Sequence, residues 1–132
     1  MFQAKSIMKT NLLTVRKDTD IYEAIQIMVE NNITGLPVIN DDMTVAGIIS
    51  EKDVLKLLYN LEDKSGTVSE FMTKDAVTFD TEENLIEIAE CLINHHFRRV
   101  PITSGGKLIG IISRKDIIGY ILKLRHKGTI TA

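Results

Sequence analysis

The chain has 132 residues, 44% of them hydrophobic, with 16 Lys and Arg set against 18 Asp and Glu. A chain of this length buries roughly two thirds of its unfolded surface, enough for one compact domain or two small units sharing a core. The near-neutral charge gives no drive toward nucleic acid or anionic lipid, and no apolar run approaches the roughly 20 residues that span a membrane.

Residues 1–12 read as a lead-in, and Leu13 to Val15 as a short strand. Asp20 and Glu23 have capping-box spacing, and Ile21, Ala24, Ile25, Met28 and Val29 then recur at helical spacing over about three turns. Asn31 and Asn32 end that helix. Leu36 to Ile39 reads as a strand with Pro37 near its beginning, where a missing N–H is tolerated, and Val45 to Ile49 as its hairpin partner across the turn Asn40 to Thr44. Ser50 and Asp53 open a second helix carrying Val54, Leu57, Leu58 and Leu61, and the polar stretch Asn60 to Gly66 follows.

The same order then recurs. GIISEKD (Gly47 to Asp53) returns as GIISRKD (Gly110 to Asp116); Met8 answers Met72 and Pro37 answers Pro101 at an offset of 64, and Asp53 answers Asp116 at 63. The single lost residue falls in the hairpin turn, where a repeated fold tolerates it. Asn84 and Glu87 repeat the cap; Leu85, Ile88, Ala89, Leu92 and Ile93 repeat the first helix; Ile117, Tyr120, Ile121 and Leu124 repeat the second. The expected organisation is α+β: a strand-helix-strand-strand-helix unit over 1–62, a linker at 63–66, a second such unit over 67–125 and a tail at 126–132.

The doubled unit, together with Gly, two apolar residues, Ser, two variable residues and Asp closing the second strand, resembles a tandem pair of cystathionine-beta-synthase (CBS) domains, a Bateman module, over about residues 5–124. The resemblance implies two units packed by pseudo-twofold symmetry, with two clefts that take adenosyl ligands: AMP, ADP or ATP first, S-adenosylmethionine or NAD less so. It implies a regulatory module, not an enzyme, that forms a homodimer and acts on a target protein the chain does not encode. With no second domain in the sequence, the module is expected to be free-standing.

Asp53 and Asp116 are each expected to accept hydrogen bonds from the neighbouring hydroxyls of a ribose. Ser50 and Ser113 lie at helix mouths, where N–H groups and the helix dipole favour a phosphate. Gly47 and Gly110 stand where backbone must approach a ligand or a neighbouring strand closely. The alternative is that each Ser and Asp is only a capping box starting a helix. Arg98 and Arg99 have Thr34 and Gly35 as counterparts, so the halves differ here. Residues 1–66 carry 7 basic and 10 acidic residues and residues 67–132 carry 9 and 8, which makes the second half the better host for an anion.

By the resemblance, one cleft is formed by Ser113, Asp116, Lys115, Arg98 and Arg99, with Ile33, Thr34, Leu13 and Thr10. The other, weaker or empty, holds Ser50, Asp53, Gly35, Phe97, Lys74 and Val77. The two arginines read alternatively as a solvated pair.

His95 and His96 lack a further nearby metal ligand, and Cys91 lies on the flank of an apolar helix face, as a packed thiol does. A single Cys and a start without an apolar leader fit a cytoplasmic protein. No motif brings a base and a metal together, which argues against an enzyme. The competing function is a protein interaction and dimerisation module with vestigial ligand sites.

Overall fold

The computed structural model describes residues 2–60, 66–95 and 97–128. Leu61 of the second helix, residues 63–65 of the linker, His96 and residues 129–132 of the tail lie outside these. The first repeat runs through β1 (Val15–Arg16), α1 (Ile21–Asn31), β2 (Gly35–Ile39), β3 (Val45–Ser50) and α2 (Glu51–Leu55). The second begins with α3 (Val68–Phe71) and β4 (Thr73–Lys74), then continues through β5 (Phe79–Asp80), α4 (Leu85–Asn94), β6 (Arg99–Ser104), β7 (Lys107–Ser113) and α5 (Arg114–His126). The chain is thus a mixed α+β protein with strands in the orders β1-β2-β3-β4 and β5-β6-β7.

Both long apolar helices start at an Asx cap. Asp20 accepts from the Tyr22 amide at 2.9 Å and Asn84 from the Ile86 amide at 2.8 Å. These bonds reach the second helical residue, so the two positions are simple caps in place of the capping boxes their spacing implied. Asn32 stops α1 in the left-handed conformation (φ 51°), which Asn tolerates better than most residues.

The β6–β7 turn takes Gly105 and Gly106 at φ 58° and 80°, a backbone open to glycine. The longer Asn40–Thr44 turn is closed by Asn40 N–H to Thr44 O at 2.9 Å, and the extra residue is absorbed by a register shift between Val38 and Ile39.

Contacts divide the chain into two units that are not its contiguous halves. One contains residues 13–77 and 106–108, and the other residues 1–12, 78–105 and 109–132. We call them the Ser50 unit and the Ser113 unit. The opening segment of each repeat has therefore joined the unit built mainly from the other repeat. In the Ser113 unit, Ala4 N–H donates to Glu83 O at 2.8 Å, and Lys9 exchanges two backbone bonds with Ile111 at 2.9 and 3.0 Å. In the Ser50 unit, Val68 N–H donates to Thr19 O at 2.8 Å, and β4 pairs antiparallel with β3.

Each unit has its own core. Val15, Ile21, Ala24, Met28, Leu36, Val38, Ile49 and Val68 form one. Ala4, Leu85, Ile88, Leu92, Val100, Ile102 and Ile112 form the other. Full burial of each large aliphatic side chain contributes about 1.5–3 kcal/mol.

The second helix of each repeat is less buried than its apolar spacing implied. α2 passes after Leu55 into a 3-10 turn over Lys56–Asn60. Val54 and Leu57 pack against the core while Leu58 faces solvent. On α5, Ile117 and Tyr120 pack inward and Ile121 does not. Tyr120 meets Phe2 edge to face at 5.6 Å, so the opening segment also holds this helix.

Gly47 lies under β4, where an added Cβ would sit 2.5 Å from the backbone oxygen of Thr73. Gly119, on α5, has nothing within 4 Å of such an atom. Gly47→Ala is expected to cost about 1–3 kcal/mol through overpacking, and Gly119→Ala to gain roughly 0.5–1 kcal/mol through helix propensity. Urea unfolding of the two variants checks both signs.

Candidate ligand-binding site

In both repeats a strand ends at a Ser and the next residue begins a helix. β3 delivers Ser50 to α2, and β7 delivers Ser113 to α5. The helix mouth is tied to the chain entering the preceding hairpin: Glu51 N–H donates to Thr34 O at 3.1 Å, and Arg114 N–H to Arg98 O at 3.0 Å. Two antiparallel strands and one hydrogen bond thus place residues 34 and 98 next to their own Ser and Asp.

The capping reading holds for both Asp residues. Asp53 Oδ2 accepts from Ser50 N–H at 2.8 Å and Ser50 Oγ at 2.9 Å. Asp116 Oδ2 accepts from Ser113 N–H at 2.8 Å, and Asp116 N–H donates to Ser113 Oγ at 3.2 Å. The amides of Arg114 and Asp116 are consequently engaged within the protein, which removes two of the first-turn donors that a phosphate would use.

The other oxygen distinguishes the sites. Asp53 Oδ1 receives Thr73 Oγ1–H at 3.2 Å, and Asp53 is 4% exposed. Asp116 Oδ1 instead faces the Lys9 ammonium at 3.9 Å; the Asp116 side chain is 14% exposed and that of Lys9 68%. Thr73 and Lys9 stand at the same repeat position, immediately after Met72 and Met8. Both partners went unrecognised in the sequence because the segments that carry them pack on the opposite repeat.

The remaining expected residues divide by unit. Thr10, Phe97, Arg98, Arg99 and Lys115 belong to the Ser113 unit, and Leu13, Ile33, Thr34, Gly35, Lys74 and Val77 to the Ser50 unit. Gly35 pairs with Ser50 and Lys74 with Gly47, so both lie close to the Ser50 helix mouth. Ile33 packs on the first core, and its amide donates to Met28 O at 3.0 Å. Leu13 and Val77 are exposed. Phe97 stacks on His95 at 5.5 Å. Its carbonyl, like that of Leu92, accepts from the Arg114 guanidinium, at 2.7 and 2.8 Å respectively.

The structural role of the glycines is also visible. A Cβ on Gly110 would lie 2.6 Å from Met8 Sδ, the counterpart of the Thr73 contact at Gly47. In both units the space is taken by protein, which accounts for the two glycines without a ligand. Burial pushes the Cys91 thiol above its usual pKa, contrary to what a nucleophile needs. Among the described residues, no group of three His, Cys, Asp or Glu could hold a metal, and no helix is long and apolar enough to cross a membrane.

A family model for the CBS domain matches residues 4–60 and again residues 68–123. The chain belongs to the CBS domain family. An uncharacterised protein of Methanocaldococcus jannaschii is 32% identical over 86% of this chain and 41% of its own length. CBSX1, a chloroplastic CBS domain-containing protein of Arabidopsis thaliana, is 29% identical over 91% of this chain and 63% of its own length. The chain therefore spans less than two thirds of each of these relatives.

Solved structures of CBS pairs superpose on nearly the whole chain. CBSX2 of Arabidopsis thaliana in complex with AMP has a TM-score of 0.87 at 30% identity, covering 95% of this chain and 99% of that one. The CBS domain pair of protein MJ0100 with 5′-methylthioadenosine and S-adenosylmethionine has a TM-score of 0.82 at 25% identity, covering 93% and 98%. The two-unit architecture is that of a CBS pair.

Asp53→Ala would remove a buried carboxylate that accepts from Ser50 N–H, Ser50 Oγ–H and Thr73 Oγ1–H and is expected to cost about 1–3 kcal/mol. Asp116→Ala removes one cap near solvent, about 1 kcal/mol. Equilibrium denaturation should rank Asp53→Ala as the more damaging change; the reverse order would mean that Thr73 does not hold Asp53.

Proposed function

We propose that the chain is a regulatory module that binds an adenine nucleotide, AMP, ADP or ATP, at the Ser113–Asp116 site. The observation that carries this reading is the difference between the two carboxylates in a fold so like that of CBSX2, a protein whose structure holds AMP. Asp53 is buried and bonded on both oxygens, whereas Asp116 keeps Oδ1 beside the ammonium of an exposed lysine. In this proposal Asp116 Oδ1 accepts from the ribose hydroxyls, and Arg98 and Arg99, at the entry to β6, meet the phosphate.

The module acts without catalysis in this reading, by changing shape or assembly when nucleotide binds, as a cytoplasmic homodimer that addresses a separate target protein. Support for a dimer comes from Val29 and Ile93, which hold the same position on α1 and α4 and are 74% and 73% exposed. The alternative of an interaction module with vestigial sites is favoured for the Ser50 unit alone, because Asp53 there is already saturated.

Calorimetric titration of the chain with AMP, ATP, S-adenosylmethionine and NADH is the test. Micromolar binding of AMP or ATP at one site per chain is expected; a folded protein that binds none of the four would leave the interaction module as the function. Asp116→Ala should weaken AMP binding at least about tenfold, or about 1.4 kcal/mol. Replacing both Arg98 and Arg99 with Ala should reduce affinity for AMP and ATP more than for adenosine, and equal losses would remove their role in reading phosphate.

A further inference from the structure

We infer that Lys9 sets the ligand class of the Ser113–Asp116 site: its ammonium meets the anionic 5′ substituent of a bound nucleoside, so that the site selects nucleoside 5′-phosphates over adenosines whose 5′ group is uncharged. The inference rests on the adenosyl-binding reading above and adds a residue and a selectivity to it.

Lys9 is anchored at its base and exposed along its side chain. Its backbone exchanges two hydrogen bonds with Ile111, two residues before Ser113, and the preceding Met8 is wedged against Gly110. From that fixed point the side chain reaches Asp116 Oδ1 at 3.9 Å while remaining 68% exposed. At this long distance, and with the lysine end in solvent, the pair holds the ammonium weakly, at about 0–1 kcal/mol. It yields readily to a phosphate oxygen, which offers the shorter, charge-assisted bond.

Comparison with the sister repeat isolates the effect. Lys9, Arg98, Arg99, Arg114 and Lys115 correspond by repeat position to Thr73, Thr34, Gly35, Glu51 and Lys52, so five cations in one repeat set answer one cation and one anion in the other. Lys115 has a Lys counterpart and does not distinguish the sites. Arg114 is committed to the carbonyls of Phe97 and Leu92. The Lys9 ammonium lies 3.9 Å from the carboxylate assigned to the ribose, whereas its counterpart Thr73 spends its hydroxyl on Asp53.

The experiment titrates AMP and uncharged 5′-methylthioadenosine into the wild-type chain, Lys9→Thr and Lys9→Arg, with thermal unfolding of each as a control. Lys9→Thr should weaken AMP about tenfold, the range of a lost bond to a charged group, while 5′-methylthioadenosine stays within about twofold and the unfolding midpoint is unchanged. Lys9→Arg should keep most of the AMP affinity. Equal losses for both ligands, or no loss for either, in a chain whose wild type binds AMP would overturn the role of Lys9 alone. A wild type that binds neither ligand would overturn the adenosyl reading together with this inference.

Discussion

The structure depends on a close approach at two glycines. At Gly47 the backbone oxygen of Thr73 occupies the space a Cβ would need, and at Gly110 the Met8 side chain does so. These contacts let the opening segment of each repeat lie against the last strand of the other repeat's hairpin. The exchange reaches the cores: Val68 is fully buried in the first and Ala4 in the second, each contributed by the repeat that builds the other core. Neither repeat by itself contains all the residues that fill its unit, which couples the two halves of the chain through covalent connectivity as well as packing.

The same exchange makes two similar helix mouths chemically different. Both carry Ser-x-x-Asp, and in both the Asp caps the helix. What the visiting segment brings decides the rest. Thr73 is short and hydroxylated and, from the surface, completes the hydrogen bonding of the buried Asp53; Lys9 is long and charged and leaves the second oxygen of the part-buried Asp116 in a long pair with an exposed lysine. A buried carboxylate with several donors is a structural element, because displacing a donor leaves the buried acceptor short of a partner. A carboxylate in a loose pair can change partner at little cost.

Capping and ligand binding, which the sequence presents as alternatives, are compatible at Asp116, since the cap uses Oδ2 and leaves Oδ1 to Lys9. The glycines went the other way. Their missing side chains are explained by neighbouring protein, so they carry no weight as ligand contacts.

From the sequence alone came the doubled unit, the order of its elements, the helix caps at Asp20 and Asn84, the hairpins and the CBS resemblance. All are local or periodic features: apolar residues at helical or alternating spacing, a polar cap, a motif repeated at a fixed offset. The apolar faces of the second helices were overread, because helical spacing registers Leu58 and Ile121 as inward although both remain at least half exposed. Which opening segment joins which unit, and hence that Lys9 faces Asp116 and Thr73 faces Asp53, was decided by tertiary structure alone. Those pairs are separated by most of the chain or by a whole linker, and no periodicity records where a short segment will dock once two sheets have formed.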